Sequence, residues 1–369
     1  MKAGTVSASL PVFPWDTLSD VAAVAREHPD GVVDLSVGTP VDDVAPVIRD
    51  ALAAASAAPG YPTTAGTPEL REAMAGALHR RYAITGLTPS AILPVIGTKE
   101  LIAWLPTLLG LGGSTVVVPE LAYPTYEVGA LLAGARVLRA DSLTQLGPAS
   151  PALLYLNSPS NPTGKVLPVD HLRKVVEWAR RRGVLVASDE CYLGLGWDQA
   201  PVSVLHPQVC DGDHTGLLAV HSLSKTSSLA GYRAGFVAGD PAVVAELLTV
   251  RKHAGMMVST PVQAAMIAAL DDDAHQQAQR ERYARRRDTL LPALQSAGFT
   301  VDHSEAGLYL WATRDEPCRA TVAWLARRGI LVAPGEFYGP RGARHVRVAL
   351  TATDERIAAA VQRLADPAR

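Results

Sequence analysis

The sequence predicts an α/β protein with a large domain built on a mostly parallel sheet and a smaller α/β domain near the C-terminus. Three apolar runs, at residues 153–157, 184–188 and 217–220, are each followed by a cluster of polar residues. Further short strands are predicted at 308–312, 331–333 and 345–349, after a series of helices. Open α/β sheets bind ligands beyond the carboxyl ends of their strands. We therefore expect the three polar clusters to meet at one sheet edge.

Length and composition set limits on the class of protein. The 369 residues can bury a large core and divide into two domains. With a net charge of -2 and a pI near 6.6, the chain offers no field for nucleic acid or an anionic membrane. Three widely spaced cysteines predict neither a disulfide framework nor a metal site. We see no signal peptide and no membrane-spanning stretch, and we expect a soluble cytoplasmic protein.

Lys225 is the residue around which the chemistry is predicted. It follows the apolar run 217–220 and precedes small and hydroxylated residues, so it is expected where a buried strand opens into a loop. An ammonium is costly to desolvate, and burial lowers its pKa. A neutral lysine amine attacks aldehydes to form a Schiff base. The alternative is an ordinary polar loop after a strand.

The N-terminal third contains an extended arm, a strand and a loop. Two prolines exclude regular helix from residues 10–15, and arms of this kind pack on neighbouring subunits. The strand at 32–37 turns at Gly38. A loop at 60–68, which contains Tyr61, then opens a predicted helix at 69–81.

An anion site is predicted where the strand at 92–96 meets Gly97 and a helix follows. The first amides of a helix point outward without partners, and the helix dipole favours negative charge there. Gly97 permits close approach, while the backbone amides of Thr98 and Lys99 and the Thr98 hydroxyl are candidate donors.

Aromatic and arginine residues elsewhere admit two interpretations. Tyr123 and Tyr126 flank a proline after the strand at 115–118 and either close a core or bind a ligand. Arg347 lies between valines on an alternating strand, so it points to one defined face, either solvent or a site. The arginine-rich run at 280–287 is expected to be a solvated helix face. His221 is expected to be structural.

The motifs together resemble those of the class I and II aminotransferases, enzymes of fold type I that use pyridoxal 5'-phosphate (PLP). The resemblance covers about residues 33–350 and includes Asn-Pro-Thr-Gly at 161–164, Asp-Glu-Cys-Tyr at 189–192 and Ser-Leu-Ser-Lys at 222–225, in the family's order. It implies the fold-type I architecture. The expected division is an arm and part of the small domain at 1–44, a large PLP-binding domain at 45–280 and a small domain at 281–369.

The resemblance implies a role for each candidate residue. Lys225 would hold PLP and transfer protons, Asp189 would pair with the pyridine nitrogen, and Tyr123 would lie on the ring. Further cofactor contacts are implied for Asn161 and Tyr192 at the phenolic oxygen, for Gly97, Thr98, Lys99, Ser222 and Arg233 at the phosphate, and for Tyr61 of the other subunit at that phosphate. A homodimer is therefore expected.

Substrate binding is implied for Arg347 at the α-carboxylate, with Gly38 and Asn161 nearby. The reaction would be ping-pong transamination through pyridoxamine phosphate, with 2-oxoglutarate as acceptor. The stretches 14–16, 33–40, 59–66 and 97–101 most resemble actinobacterial-type N-succinyldiaminopimelate aminotransferases of lysine biosynthesis. Such a substrate requires a second cation, for which Lys99, Arg26 and Arg251 are candidates. Another aminotransferase, a PLP-dependent C–S lyase and, more remotely, a non-catalytic regulator domain remain alternatives.

Overall fold

A computed structural model describes residues 6–366 of the chain. The elements of its first half are α1 (Ser19–Arg26), β1 (Val33–Asp34), α2 (Pro46–Ala54), α3 (Pro68–Tyr82), β2 (Ile92–Ile96), α4 (Thr98–Leu108), β3 (Thr115–Val118), α5 (Thr125–Leu132), β4 (Arg136–Arg139), β5 (Leu153–Asn157), α6 (Val169–Arg182) and β6 (Leu185–Asp189). Those of the second half are α7 (Pro207–Cys210), β7 (Leu217–Ser222), β8 (Ala234–Gly239), α8 (Pro241–Ala254), α9 (Thr260–Asp271), α10 (Asp273–Ser296), β9 (Thr300–Asp302), β10 (Tyr309–Thr313), α11 (Cys318–Ala326), β11 (Ile330–Leu331), β12 (Ala333–Pro334), β13 (Val346–Ala349) and α12 (Asp354–Ala365).

A seven-stranded sheet forms the centre of the molecule, in the order β2-β8-β7-β6-β5-β3-β4. Only β8 runs antiparallel to its neighbours, so the sheet is mostly parallel as predicted. Apolar side chains of α3, α6 and α9 cover one face, and those of α4, α5 and α8 cover the other. Because both faces are buried, the central strands read as continuous apolar runs rather than as alternating patterns.

A second unit is built on the four-stranded antiparallel sheet β12-β13-β10-β9. The short strand β1 pairs with β11 in parallel, so the N-terminal segment joins C-terminal elements. These strands share one apolar core with α10, α11 and α12. The predicted boundaries at residues 44 and 280 stay a prediction, and residues 1–5 and 367–369 of the outer domains lie outside the described residues.

Several local expectations differ from the structure. The predicted strand at 32–37 is reduced to Val33–Asp34, and part of the extended arm is a short 3-10 helix at Pro14–Leu18. The arginine run on α10 is not wholly solvated, because Arg286 and Arg287 are 3% and 9% exposed. Arg286 pairs with Asp42 and Asp354, so this helix binds two distant parts of the chain instead of facing water.

No helix among residues 6–366 combines the length and the apolar character needed to cross a membrane.

Candidate functional site

The three polar clusters meet at one edge of the central sheet, where they line a cavity of about 700 Å³. The parallel register aligns the strand ends, with Asn157 of β5 opposite Asp189 of β6. Sequence-predicted residues in the cavity wall are Gly38, Thr98, Lys99, Tyr123, Asn161, Asp189, Tyr192, Ser222, Lys225, Arg233 and Arg347. Tyr61 is 98% exposed and does not line this cavity.

Lys225 lies just after β7 and is partly buried. Desolvation lowers the pKa of its amine, and the positive charges of Arg347 and Arg233 lower it further. The Nζ atom donates a hydrogen bond to the Gly38 carbonyl. From the other side, the Tyr283 hydroxyl donates to the Lys225 carbonyl at 3.1 Å. The lysine is therefore held at the cavity wall in a setting that favours its neutral form.

Asp189 is a buried carboxylate, and both of its hydrogen-bond donors are neutral groups. Its Oδ2 accepts from the Tyr126 hydroxyl at 2.7 Å, and its Oδ1 accepts from the Cys191 backbone amide at 3.2 Å. Burial raises the pKa of Asp189, and these hydrogen bonds only partly offset the effect. No cationic side chain of residues 6–366 forms an ion pair with it. The carboxylate is thus suited to a cationic N–H group entering the cavity.

Asn157 ties two of the polar clusters together. Its side-chain amide donates to the Asp189 carbonyl at 2.9 Å, and its oxygen accepts from the Asn161 backbone amide at 2.7 Å. In the sequence, Asn157 is visible only as the last residue of the apolar run at 153–157. Its position opposite Asp189 in the register would have been the signal for this role.

The opposite end of the cavity is built for an anion. Gly97, with φ of +76°, caps the N-terminus of α4, and a Cβ at this position would collide with the Arg233 guanidinium. Arg233 and Lys99 line the same cavity, and burial together with the Arg233 charge lowers the pKa of Lys99. Helix amides, a guanidinium and the Ser222 side chain therefore converge here, as expected for phosphate binding.

Arg347 is buried on β13 at 2% exposure. It donates to the Asn161 side-chain oxygen at 3.0 Å and to the Ser36 carbonyl at 2.7 Å. Its guanidinium carbon lies 3.9 Å from the Tyr309 ring centre and 5.0 Å from that of Tyr338. No carboxylate of the described chain lies within ion-pair distance. A buried guanidinium without a carboxylate partner is the expected receptor for an anionic ligand.

Tyr309 and Tyr126 are site residues that the sequence reasoning did not assign. The Tyr309 hydroxyl lies 3.1 Å from that of Tyr192, and a Cβ at Gly38 would collide with the Tyr309 side chain. Tyr126 lies on α5, and its contact with Asp189 cannot be read from the sequence. Both contacts join residues far apart in the chain, so no local pattern reveals them.

The three candidate cations for a second carboxylate are now separated. Lys99 lines the cavity, with its Nζ 5.4 Å from the centre of the Phe13 ring. Arg251 is fully buried and binds Glu100 through two hydrogen bonds of 2.9 and 3.2 Å. Arg26 is exposed on α1 and does not line the cavity. Lys99 is the one of the three that a ligand in this cavity can reach.

These observations fit the cofactor implied by the sequence. Asp189 offers a buried acceptor for a protonated pyridine nitrogen, the start of α4 with Arg233 offers an anion site for the phosphate, and Lys225 lines the same cavity. The remaining buried cation, Arg347, matches a substrate carboxylate.

Comparison with known proteins gives a consistent result. The family model described as aminotransferase class I and II matches residues 30–364. The chain is 81% identical to the probable aminotransferase Rv1178 of Mycobacterium tuberculosis, over 98% of this chain and 87% of that protein. It is 60% identical to the 4-dedimethylamino-4-oxo-anhydrotetracycline transaminase OxyQ of Streptomyces rimosus, over 96% and 99% of the two chains. A crystal structure of an aminotransferase from Neisseria meningitidis superposes with a TM-score of 0.88 at 32% identity, covering 98% of each chain.

Proposed function

This chain belongs to the class I and II aminotransferases, which depend on PLP, and from that premise we propose that it transfers the amino group of N-succinyl-LL-diaminopimelate to 2-oxoglutarate. The observation that carries the proposal is that one cavity contains both a partly buried lysine of lowered pKa, Lys225, and a buried arginine, Arg347, that has no carboxylate partner among the described residues. The whole-stretch resemblance to N-succinyldiaminopimelate aminotransferases supplies the donor.

The cofactor would be held at three points. Asp189 would accept from the pyridine nitrogen, and Asn161 and Tyr192 would bind the phenolic oxygen. The phosphate would be bound by the group Gly97, Thr98, Lys99, Ser222 and Arg233, and Tyr123 would stack on the ring. When bound, PLP withdraws electrons from the α-carbon of the amino acid attached to it.

Lys225 would carry the proton transfers. A general base works best when its pKa lies near the working pH, and desolvation moves Lys225 in that direction. When its amine is free, Lys225 would accept the proton from the α-carbon of the substrate and would later donate it back. Its attachment to the end of a buried strand fixes the direction of approach.

Arg347 would bind the α-carboxylate in a bidentate manner. Two of its donors now contact the Asn161 side chain and the Ser36 carbonyl, both neutral acceptors. A carboxylate forms stronger, charge-assisted hydrogen bonds and would replace at least one of them. The Gly38 backbone, two residues after Ser36 and in contact with Lys225, would then border the substrate.

Lys99 would bind the distal carboxylate that N-succinyl-LL-diaminopimelate and 2-oxoglutarate both carry. It is placed for this role in the cavity wall beside Phe13. Its backbone amide, at the start of α4, would still serve the phosphate.

A second candidate substrate is a bulky cyclic ketone, which the name of OxyQ indicates for that relative. The specific observation in its favour is the apolar part of the cavity wall, formed by Phe13, Trp15 and Ile102. Such surfaces bind ring systems through burial of apolar area.

We also propose a homodimer in which Tyr61 reaches the phosphate site of the partner subunit. Tyr61 projects from the loop before α3 and is 98% exposed in a single chain. A large exposed aromatic side chain is well suited to burial against a second copy. Light scattering of the purified enzyme measures its oligomeric state. A monomer with full activity would contradict the proposed homodimer.

The test of the proposed reaction is a product assay with PLP-loaded enzyme, 2-oxoglutarate and one amino donor at a time. Glutamate formed with N-succinyl-LL-diaminopimelate, and lost in Lys225→Ala, is the expected result. Glutamate formed with another donor keeps the aminotransferase chemistry and rejects this substrate. Release of pyruvate, ammonia and a thiol from a cysteine conjugate would instead identify a C–S lyase.

A further inference from the structure

A second, much smaller cavity lies behind the strand ends that carry the site. It has a volume of about 20 Å³, and its wall includes Tyr82, Glu190, His221 and Gln276. We call it the rear cavity. Glu190 directly follows Asp189, the last residue of β6, and His221 directly precedes Ser222, the last residue of β7. Adjacent residues at these two strand ends therefore line the rear cavity and the larger cavity that contains Lys225.

Three buried polar atoms of the rear cavity residues have no hydrogen-bond partner among residues 6–366: Oε2 of Glu190, Nε2 of His221 and Oε1 of Gln276. The Glu190 and His221 atoms lie 3.7 Å apart, too far for a direct hydrogen bond. Buried polar groups in native proteins are almost always satisfied, by protein or by ordered water. A polar cavity of at least roughly 10–15 Å³ accommodates one water, which needs two to four polar partners.

We propose that one water molecule occupies the rear cavity and bridges Glu190, His221 and Gln276, and that Glu190 is protonated there, so that Asp189 carries the only carboxylate charge at this strand end. Glu190 and His221 are in this view positioning residues, which act on the site through Asp189 and Lys225. The inference depends on the roles proposed above for those two residues but not on the identity of the amino donor.

The surroundings of Glu190 favour its neutral form. Its Oε1 accepts from the Val204 backbone amide at 2.8 Å, and its side chain is 1% exposed. Burial raises the pKa of Glu190 to about 7, because the loss of solvation and, less strongly, the charge of Asp189 outweigh the opposing hydrogen bonds with Val204, Ser203 and Ser188. Burial lowers the pKa of His221 to about 3, so the imidazole is neutral and offers no charge to the carboxyl group.

The other titratable groups around the rear cavity do not supply a counter-ion. Arg81 of α3 binds Asp273 at 2.6 Å and the carbonyls of Ala269 and Leu270. Burial raises the pKa of Tyr82, whose ring lies parallel to that of His221 at a centroid distance of 6.3 Å. Burial also raises the pKa of Cys191, so tyrosine and cysteine remain neutral and add no positive charge.

Ionisation of Glu190 would place a second negative charge beside Asp189. Negative charge raises the pKa of neighbouring acids and of ammonium groups. The fraction of Lys225 present as the reactive neutral amine would then fall at a given pH. A neutral Glu190 therefore protects the lowered pKa of the catalytic lysine.

The first measurement is a high-resolution crystal structure of the PLP-loaded enzyme at about pH 6. We expect one water peak within hydrogen-bond distance of Glu190 Oε2, His221 Nε2 and Gln276 Oε1. Infrared spectra of the same enzyme should show the carbonyl stretch of a buried carboxylic acid, which disappears in Glu190→Gln. A dry cavity, or no carboxylic acid band assignable to Glu190, overturns the proposal without bearing on the reaction itself.

The second measurement compares pH profiles, with any amino donor that the enzyme turns over. Glu190→Gln cannot ionise, so we expect its ratio of kcat/KM at about pH 8.5 to that at about pH 6 to exceed the wild-type ratio by about threefold, the effect of a half-unit pKa shift. The exposed Glu246→Gln on α8 serves as the matched control and should keep the wild-type ratio. Equal ratios in Glu190→Gln and wild type contradict the positioning role.

Discussion

Asp189 and Glu190 are adjacent carboxylic acids at the end of β6, and their side chains lie on opposite faces of the sheet. Both are buried, and burial raises the pKa of both. Asp189 faces a cavity of about 700 Å³ and receives hydrogen bonds from Tyr126 and Cys191. Glu190 faces a cavity of about 20 Å³ and receives one from Val204.

The difference between these neighbours shows that burial alone does not define a catalytic acid. The same desolvation acts on both groups, but only Asp189 opens onto space for a ligand. We call the side of the sheet that faces the larger cavity the front side and the side that faces the rear cavity the rear side. On the front side, the charge of Asp189 can be neutralised by a bound cation. On the rear side, Glu190 can be neutralised only by taking up a proton. The variants below test how sharply the two sides are separated.

Lys225→Ala should have the largest effect, since it would remove the proposed attachment point of the cofactor and the proposed proton carrier. We expect turnover to fall by at least about 10⁴-fold. Glutamate formation by the PLP-loaded variant measures it, with Lys252→Ala, an exposed lysine of α8, as control. Unimpaired transamination in Lys225→Ala would refute the assigned site.

Asp189→Asn keeps the shape of the front-side acid and removes its charge. A developing charge on the reacting group then loses its fixed partner, and we expect kcat to fall by about 10² to 10³-fold. The exposed Asp170→Asn on α6 provides the comparison. A wild-type kcat in Asp189→Asn would show that the front carboxylate is no more catalytic than the rear one.

Arg347→Gln tests the front side at its substrate end. Loss of a charge-assisted interaction costs about 1.5–3 kcal/mol, so kcat/KM should drop roughly tenfold to hundredfold, mainly through KM. Steady-state kinetics with a carboxylate-bearing donor give the value. Arg344 lies three residues away and forms an exposed ion pair with Asp315. Arg344→Gln serves as the control, and its kcat/KM should be near that of the wild type. Normal saturation in Arg347→Gln excludes the carboxylate role.

Tyr126→Phe should have the smallest effect. It removes one of the two hydrogen bonds to the Asp189 carboxylate, so Asp189 keeps a single donor. The hydroxyl lowers the pKa of Asp189, so its removal raises that pKa further. The acid limb of the pH profile of kcat should move to higher pH. At pH values on that limb, kcat should fall about fivefold, which corresponds to the loss of one hydrogen bond of about 1 kcal/mol.

Tyr155→Phe is the matched control for that variant. Its ring stacks on Tyr126 at 4.7 Å, but its hydroxyl donates to the Ile102 carbonyl and not to a carboxylate. A shift of the acid limb in both variants would attribute the effect to packing instead of to the hydrogen bond.

Much of the front side was predictable because its residues lie at the ends of apolar runs. The strands at 153–157 and 217–220 and the glycine turn before α4 were confirmed within one or two residues. Strands β4 and β8 were not identified, although β8 separates β2 from β7 in the sheet. The position of Asp189 at a strand end was predictable because this polar residue directly follows the apolar run at 184–188.

Contacts between distant residues escaped the sequence reasoning. Arg286 was expected in water, yet it binds Asp42 and Asp354 across 244 and 68 positions of the chain. Tyr309 reaches Tyr192 from the second sheet, 117 positions away. A local pattern reports which side of its own element a residue faces, but not what packs against that side.

The sequence by itself determined the fold class, the family and the cofactor that the family uses, because apolar periodicity and short motifs are properties of neighbouring residues. The tertiary structure alone decided which charges are paired. Lys99 lines the cofactor cavity while Arg251 is bound to Glu100, and Arg347 remains without a carboxylate among the residues described. The pairing of charges depends on distances between elements that meet only in the folded chain. Burial where these elements meet shifts the pKa of each group and so sets its protonation state.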